Sequence, residues 1–368
     1  MTGALDGLIV ADFSRVLAGP YATMLLGDLG AEVIKVERPG AGDDTRSWGP
    51  PYDVEGNATY FGSVNRNKRS VFLDLGSPGG LAEARALAVS ADIMIENFKP
   101  GGLEELGLGY RALSAENPGL VYCSISGFGQ GAGAELPGYD LLVQAMGGLM
   151  SVTGPDPDHP SKVGVALVDV ITGLHAVYGI LAAIHHRTNT GLGQRIEVNL
   201  LSSLLSAMVN QSAAQIAGGV TPGILGNDHP SITPYGVYAA ADRPIVLAVG
   251  NNRQFRSLVT ALGVPQLADH ASYSTNPDRV KHRITLRALL EEALANHSAD
   301  HWYEVLTAVG VPSGPINDLE SAMDLAKSLG LDPTVTVPGS QVPQVANPIR
   351  MSATPPTYRL APPSLPQS

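Results

Sequence analysis

Apolar positions along the first two hundred residues fall in short runs, each separated from the next by a longer stretch with helical spacing. LIVADFS, AEVIKVERP, SVFLDL, DIMIENF and LVYCSIS read as strands; PYATMLLGDLG and GGLAEARALAVSA read as the helices between them. Such alternation predicts a parallel or mostly parallel α/β sheet, with ligands held beyond the carboxyl ends of the strands, at the β-to-α turns. VLAGP, KVERPG, LDLGSPGG, ENFKPG and ISGFGQG all fall at those turns.

The pattern changes after an Ala/Ser-rich helical stretch at residues 198–217. SITPYGVYAA and RPIVLAVG predict a two-stranded hairpin, followed by helices near residues 253–262, 283–296 and 299–310. From residue 331 the chain is Pro-rich, which predicts an extended tail lying along a surface or a neighbour. These breaks predict a large domain from residues 1–200 and 325–368, a linker helix over 201–224 and a small domain over 225–324.

One segment stands apart. VGVALVDVITGLHA at residues 163–176 sets a single carboxylate, Asp169, among apolar and small side chains, and residues 170–187 are apolar almost all round. That pattern predicts a buried helix packed closely through Gly173, Gly179, Ala182 and Ala183. A carboxylate at its start faces the positive end of the helix dipole and can stay ionised while partly stripped of water. Asp169 is therefore a candidate nucleophile; the same position also suits an ordinary N-cap, and one residue can be both.

Composition narrows the function. The chain has 368 residues, enough for two domains, with 44% hydrophobic and 15% charged residues, which supports a large core. The 34 acidic against 23 basic residues give a net charge of −11, which argues against a nucleic-acid scaffold. The one cysteine, Cys123, excludes a disulfide within the chain. The N-terminal residues show no basic region or cleavage pattern, and apolar runs of spanning length are interrupted by Gly, Thr or His. A cytoplasmic protein with no membrane partner is expected.

GFGQG after a strand departs from the dinucleotide spacing GxGxxG, and no P-loop lysine, HExxH or GxSxG is present. The nine histidines are scattered. What remains is a set of cations beside the turns: Arg15, Lys35, Arg38, Arg66, Lys68, Arg69 and Lys99. Gathered at the mouth of one sheet they would suit a phosphate-rich ligand; singly, each reads as a surface charge.

Several longer segments then match one family in order. RVLAGPYATMLLGDLGAEVIKVERPGAGDDTRSWGPP, SVNRNKRSVFLDL, IENFKPGGLEELGLGY, YCSISGFGQ, GYDLLVQAMGGLMSVTG and GVALVDVITGLHA resemble the family III CoA-transferases (the CaiB/BaiF family). RPGAGDDTR, SVNRNK, NLLSS, VGNNRQF and GVPSGPIN are most similar to the members that transfer CoA from succinyl-CoA to glutarate or hydroxymethylglutarate. The resemblance implies an α/β fold with a large doubly wound Rossmann-like domain, a smaller α+β domain and an interlocked homodimer. It implies CoA exchange between a thioester, succinyl-CoA, and a free short dicarboxylic acid, with acyl-CoA and acid as substrates and neither cofactor nor metal.

By the same resemblance Asp169 is the nucleophile, passing through an aspartyl-CoA thioester. Arg15, Val16, Leu17, Ala18, Arg38, Phe72, Leu73, Asp74, Leu75, Glu96, Asn97, Phe98 and Lys99 match CoA-lining positions. Tyr139 and Asp140 match active-site positions, and Gly250, Asn251 and Asn252 match a loop that closes over the site. Arg46 and Arg66, in the DDTR and VNRNK segments, are the candidates for the acceptor's far carboxylate, with a structural ion pair as the competing reading.

Two departures stand out. Glu104 and Glu105 occupy a patch where many relatives carry arginine, and the chain stops where relatives usually continue into a final helix. The family also contains α-methylacyl-CoA racemases, whose His–Asp pair needs a histidine where this chain has Tyr139, a poor base at neutral pH. A CoA-binding protein without chemistry is a further alternative.

Overall fold

The computed structural model describes residues 3–366. Six strands form one parallel sheet: β1 (Ile9–Asp12), β2 (Glu32–Glu37), β3 (Lys68–Phe72), β4 (Ile93–Glu96), β5 (Val121–Ser126) and β6 (Arg195–Asn199). Their order is β3-β2-β1-β4-β5-β6, with every neighbouring pair parallel. This is the doubly wound nucleotide-fold order, and the direction of winding switches between β1 and β4. The two strands stay paired to their ends, Phe13 N donating to Ile95 O at 2.8 Å, and the turns that follow them lie at the switch point.

Side-chain alternation assigns the two faces of the sheet. Val10, Ile93, Ile95, Val121 and Cys123 pack with helices Ala18–Asp28 and Leu167–Thr190, while Ala11, Met94 and Tyr122 point the other way, toward helix Pro78–Ser90. All are buried, as expected for a parallel sheet covered on both sides. β3 begins at Lys68, two residues before the expected run, and β6 was missed by the sequence reading. Arg195 and Glu197 interrupt its apolar pattern, and its last two residues, Val198 and Asn199, fall within the Ala/Ser-rich stretch expected to be helical. That stretch instead follows β6 as two helices, Leu200–Ala207 and Val209–Ile216.

Helix Leu167–Thr190 has 24 residues and is apolar enough by length and composition to cross a membrane. In this fold it is a core helix: Val168, Thr172, Gly173, Ala176, Ile180 and Ala183 are buried. A Cβ on Gly173 would lie 2.7 Å from the Ala18 carbonyl oxygen, so glycine is what allows this helix to close on the start of helix Ala18–Asp28.

The chain divides into two compact units, one with residues up to 150, 162–222 and from 331 onward, the other with residues 151–161 and 223–330. The second unit thus includes residues 151–161, a segment the sequence reading left in the large domain. It is α+β: β7 (Tyr235–Ala239) and β8 (Pro244–Ala248) form the expected hairpin, β9 (Ser313–Pro315) pairs antiparallel with β8, and Ile245, Leu247, Phe255, Leu258, Leu290 and Leu306 form its core.

In the first unit the Pro-rich tail forms a small hairpin, β10 (Thr334–Thr336) with β11 (Pro343–Val345), and then runs along the edge of its own unit. Leu360 O accepts from Asn67 N at 2.8 Å, and the Arg359 guanidinium donates to Gly27 O and Ala31 O. Beneath the tail, Arg66 grips Asp28 through two bonds of 2.9 and 2.6 Å and also donates to Val345 O. The Asp28 side chain is fully buried and that of Arg66 is 3% exposed. Breaking such a pair leaves an uncompensated buried charge. Arg66→Met is expected to cost about 3–5 kcal/mol of stability, measured by urea unfolding; a loss below about 1 kcal/mol would show that the pair does not anchor the tail.

Candidate active site

The turn after β1 and the turn after β4 are stitched together across the switch point. Arg15 N donates to Asn97 Oδ1 and Asn97 Nδ2 donates to Arg15 O, both at 2.8 Å. Glu96 closes β4 from below: its carboxylate accepts from Phe98 N and from the Ser124 hydroxyl, and burial pushes its carboxyl up to about 7. Val16, in the β1 turn, has φ +70°, an uncommon conformation for a β-branched residue, and its N–H points at the Asp43 carboxylate.

Two cavities open here and share Arg15 and Phe98. The first, of about 520 Å³, lies over the ends of β2 and β3 and is lined by Arg38, Leu73, Asp74 and Leu75. The second, of about 480 Å³, is lined by Val16, Leu17, Ala18, Asn97, Lys99, Tyr139, Asp140 and Asp169. Most of the expected CoA-lining residues and the expected nucleophile are thus gathered at the carboxyl edge of one sheet. Phe72 and Glu96 end β3 and β4 just below the rim without lining either cavity. Gly250, Asn251 and Asn252 belong to the other unit, where Asn251 caps helix Asn252–Ala261 and Asn252 Oδ1 accepts from the buried Arg279.

The cations sort differently from the sequence reading. Arg15, Lys35, Arg38 and Lys99 line the cavities; Arg38 and Lys99 pair at the surface with Asp44 and Glu135, at 2.5 and 2.6 Å. Lys35 and Lys68 are fully buried in ion pairs with Asp43 and Asp12, and the exposed Arg69 pairs with Glu32. Neither proposed acceptor residue lines the Asp169 crevice. Arg66 is spent on Asp28, and Arg46 lies over the Phe61 ring with two 2.7 Å bonds to Glu37. For both, the competing ion-pair reading is the one realised.

Asp169 sits in the first turn of helix Leu167–Thr190 but is not its N-cap. That position is Ala166, whose methyl group cannot accept a hydrogen bond. The cap comes from another element: Asp140 Oδ1 accepts from Val168 N at 2.9 Å and Asp169 N at 3.2 Å. Asp140 reaches this place because Gly138, two residues before it, packs against Gly127 just after β5; a Cβ on Gly127 would fall 2.4 Å from Gly138 Cα. Gln144, one turn further on and fully buried, donates to Asp140 Oδ2 at 2.6 Å and accepts from Val163 N at 2.9 Å. Gln144 escaped the sequence reading, since an i, i+4 spacing from Asp140 is common on any helix.

Burial, and then the nearby Asp140 charge, push the Asp169 carboxyl up to about 7. Tyr60, packed in an apolar patch with Leu17, Ala166 and Val170, is pushed up to about 12 by burial and by the charges of Asp169, Asp140 and Asp43. A poorly hydrated carboxylate held at a crevice mouth, with backbone N–H groups and an arginine nearby, is equipped to attack an acyl carbon.

Residues 5–368 match CoA-transferase family III. The chain belongs to the family III CoA-transferases. It is 44% identical to the succinate–glutarate CoA-transferase of Agrobacterium fabrum, covering 98% of this chain and 92% of that one. It is likewise 44% identical to the succinyl-CoA:glutarate CoA-transferase of Mus musculus over 88% of this chain and 74% of that one. A solved structure of a CaiB/BaiF family protein from Brucella suis superposes with a TM-score of 0.88 at 42% identity, covering 99% of this chain and 97% of that one. As a family III CoA-transferase the protein is an enzyme, and the crevice holding Asp169 is its candidate active site.

The raised Asp169 carboxyl carries a stability consequence. Its folded value, about 7, lies above the ordinary 3.8, so the fold favours the protonated form. That contribution is full below the ordinary value and is lost as pH rises through about 7. Asp169→Asn is therefore expected to gain in melting temperature over the wild type from about pH 4 to about pH 7 and to hold a constant lead above that. A lead independent of pH would show that Asp169 is not desolvated.

Proposed function

We propose that this enzyme moves CoA from succinyl-CoA to a short dicarboxylic acid, glutarate being the first candidate, through covalent chemistry on Asp169. The Asp169 carboxylate attacks the donor carbonyl, forming a mixed anhydride and releasing CoA thiolate. The thiolate attacks the aspartyl carbonyl, giving an aspartyl-CoA thioester and free succinate. The acceptor carboxylate attacks that thioester, again releasing thiolate and forming a second mixed anhydride. The thiolate then takes the acceptor acyl group, and Asp169 returns to the carboxylate. Every intermediate is hydrolysable, so the site has to exclude water. No step needs a metal or redox partner, because the donor thioester carries the activation that each exchange passes on.

The observation that carries this reading is the placement of Asp169 in one of two cavities at the switch point that share Arg15 and Phe98. The adenosine and phosphate end of CoA suits the cavity beside Arg38, and the thioester suits the crevice of Asp169. The names of the two glutarate-specific relatives support the donor and acceptor. With Arg46 and Arg66 engaged elsewhere, Arg15 and Lys99 are the cations on the crevice that suit the acceptor's far carboxylate.

A second copy of the chain is the partner we propose for the apolar positions left exposed on the first unit, among them Met146, Leu174, Tyr178, Val209 and Ile216. A homodimer, interlocked as the family resemblance implies, would cover them in a cytoplasmic protein. Light scattering at micromolar concentration is expected to give twice the chain mass of 38.3 kDa; a monomer would refute the proposal.

Purified enzyme with succinyl-CoA and a panel of free acids, in EDTA, is expected to form glutaryl-CoA by mass spectrometry. Asp169→Ala is expected to lose exchange by at least about 10³-fold while still binding CoA. Exchange that survives Asp169→Ala would remove the covalent role, and a panel in which only monocarboxylates react would overturn the acceptor class.

A further inference from the structure

We propose that Asp140, held in place by Gln144, is a positioning residue for CoA transfer: it clamps the first turn that carries Asp169 and sets a second negative charge against the nucleophile, one whose repulsion acylation removes. This rests on Asp169 being the nucleophile.

The geometry ties three segments into one unit. Asp140 Oδ1 takes the N–H groups of Val168 and Asp169, and its Oδ2 takes the Gln144 amide. The other end of that amide holds Val163 N, at the approach to the same helix. Gln144 is fully buried; its amide holds Asp140 one turn back on its own helix and bonds Val163 N and Val165 O in the segment that leads into the Asp169 helix. A neutral side chain could provide the same cap. The carboxylate does more, because it faces a second carboxylate across one turn of backbone.

That repulsion is present only while Asp169 is ionised. In the anhydride and in the aspartyl-CoA thioester Asp169 is neutral, so Asp140 destabilises the free nucleophile relative to both acylated states. Burial and, after it, the Asp140 charge raise the proton affinity of the Asp169 carboxyl. The other charged or titratable groups facing the crevice are Tyr60 from helix Thr59–Ser63, Tyr139 beside Asp140, Arg15 after β1, Asp44 after β2, and Lys99 with Glu135 beyond β4.

Asp140→Asn keeps an acceptor oxygen for the two N–H groups and removes the charge; Asp140→Ala removes both. For Asp140→Asn the acid limb of the CoA-exchange rate is expected to move to lower pH by about one unit. For Asp140→Ala and for Gln144→Met, kcat is expected to fall by about 10–100-fold with KM for the acyl-CoA little changed, because the nucleophile is misplaced. A second readout is independent of catalysis. The pH range over which Asp169→Asn gains stability is expected to end at lower pH when Asp140→Asn is also present. An acid limb and a stability range that both stay where they are in the wild type would overturn the proposal, as would equal kinetics for Asp140→Asn and Asp140→Ala. If the wild type exchanged no CoA at all, the functional reading would fail alone, and the stability range would still decide whether Asp140 acts on Asp169.

Discussion

The turn after β1 is the hinge of this molecule, and a buried set of charges holds it. Asp12 on β1 accepts from Lys68 on β3 and from the Ser14 and Thr23 hydroxyls. Lys35 on β2 bonds Asp43 and the Ser14 carbonyl, and Asp43 faces the N–H of Val16. Burial pushes the Asp12 carboxyl up, but Lys68, Lys35 and the two hydroxyls outweigh it and hold it at about 2; burial, with the nearby Lys35 charge, pulls Lys68 down to about 8 against the pull of Asp12 and Asp43. Removing any one partner would strand a charge in the interior, which typically costs about 3–5 kcal/mol. The network can therefore hold Val16 in a left-handed conformation that costs about 1–3 kcal/mol. A turn fixed this way presents Arg15, Leu17 and Ala18 to a ligand without having to rearrange.

Upon that fixed floor the nucleophile is built from a conflict. Asp169 has to be dry enough to be reactive and charged enough to attack, and those demands oppose each other. Close packing at Gly173 lowers the helix start onto Ala18 and strips water from the carboxyl. The Asp140 charge raises its proton affinity further. The backbone N–H groups of that first turn are taken by Asp140, so they do not offset the cost of charging Asp169. The outcome is a carboxyl that titrates near neutrality, where a small change in surroundings changes its state.

Much of this was legible in the chain. Strands β1, β2, β4 and β5 and the helices beside them follow from runs of Val, Ile and Met alternating with helical spacing, because a parallel sheet buried on both faces needs continuous apolar strands. The β7–β8 hairpin and the helices of the second unit were likewise visible. β6 was not, since Arg195 and Glu197 break its pattern and it is read as a strand only once β5 lies alongside. Asp169 stood out because a single carboxylate in an apolar helix is a costly thing to bury. Arg15, Arg38 and Lys99 could not be told from Lys35, Lys68 and Arg66 by local sequence: all are cations beside turns with a carboxylate partner, and what separates them is that the pairs of Lys35, Lys68 and Arg66 are buried while those of Arg15, Arg38 and Lys99 lie at the surface.

The amino-acid sequence by itself determined the α/β class, the two-part organisation, the family and the candidate nucleophile, because each of these depends on local periodicity or on a contiguous motif. Only the tertiary structure decided which charges are spent on holding the molecule together and which are left for a ligand. It moved Arg66 and Arg46 from substrate binding to ion pairs with Asp28 and Glu37, and it assigned the cap of the Asp169 helix to Asp140, 29 residues away. A charge takes its role from what lies within a few ångströms of it, and those neighbours come from parts of the chain that meet only on folding.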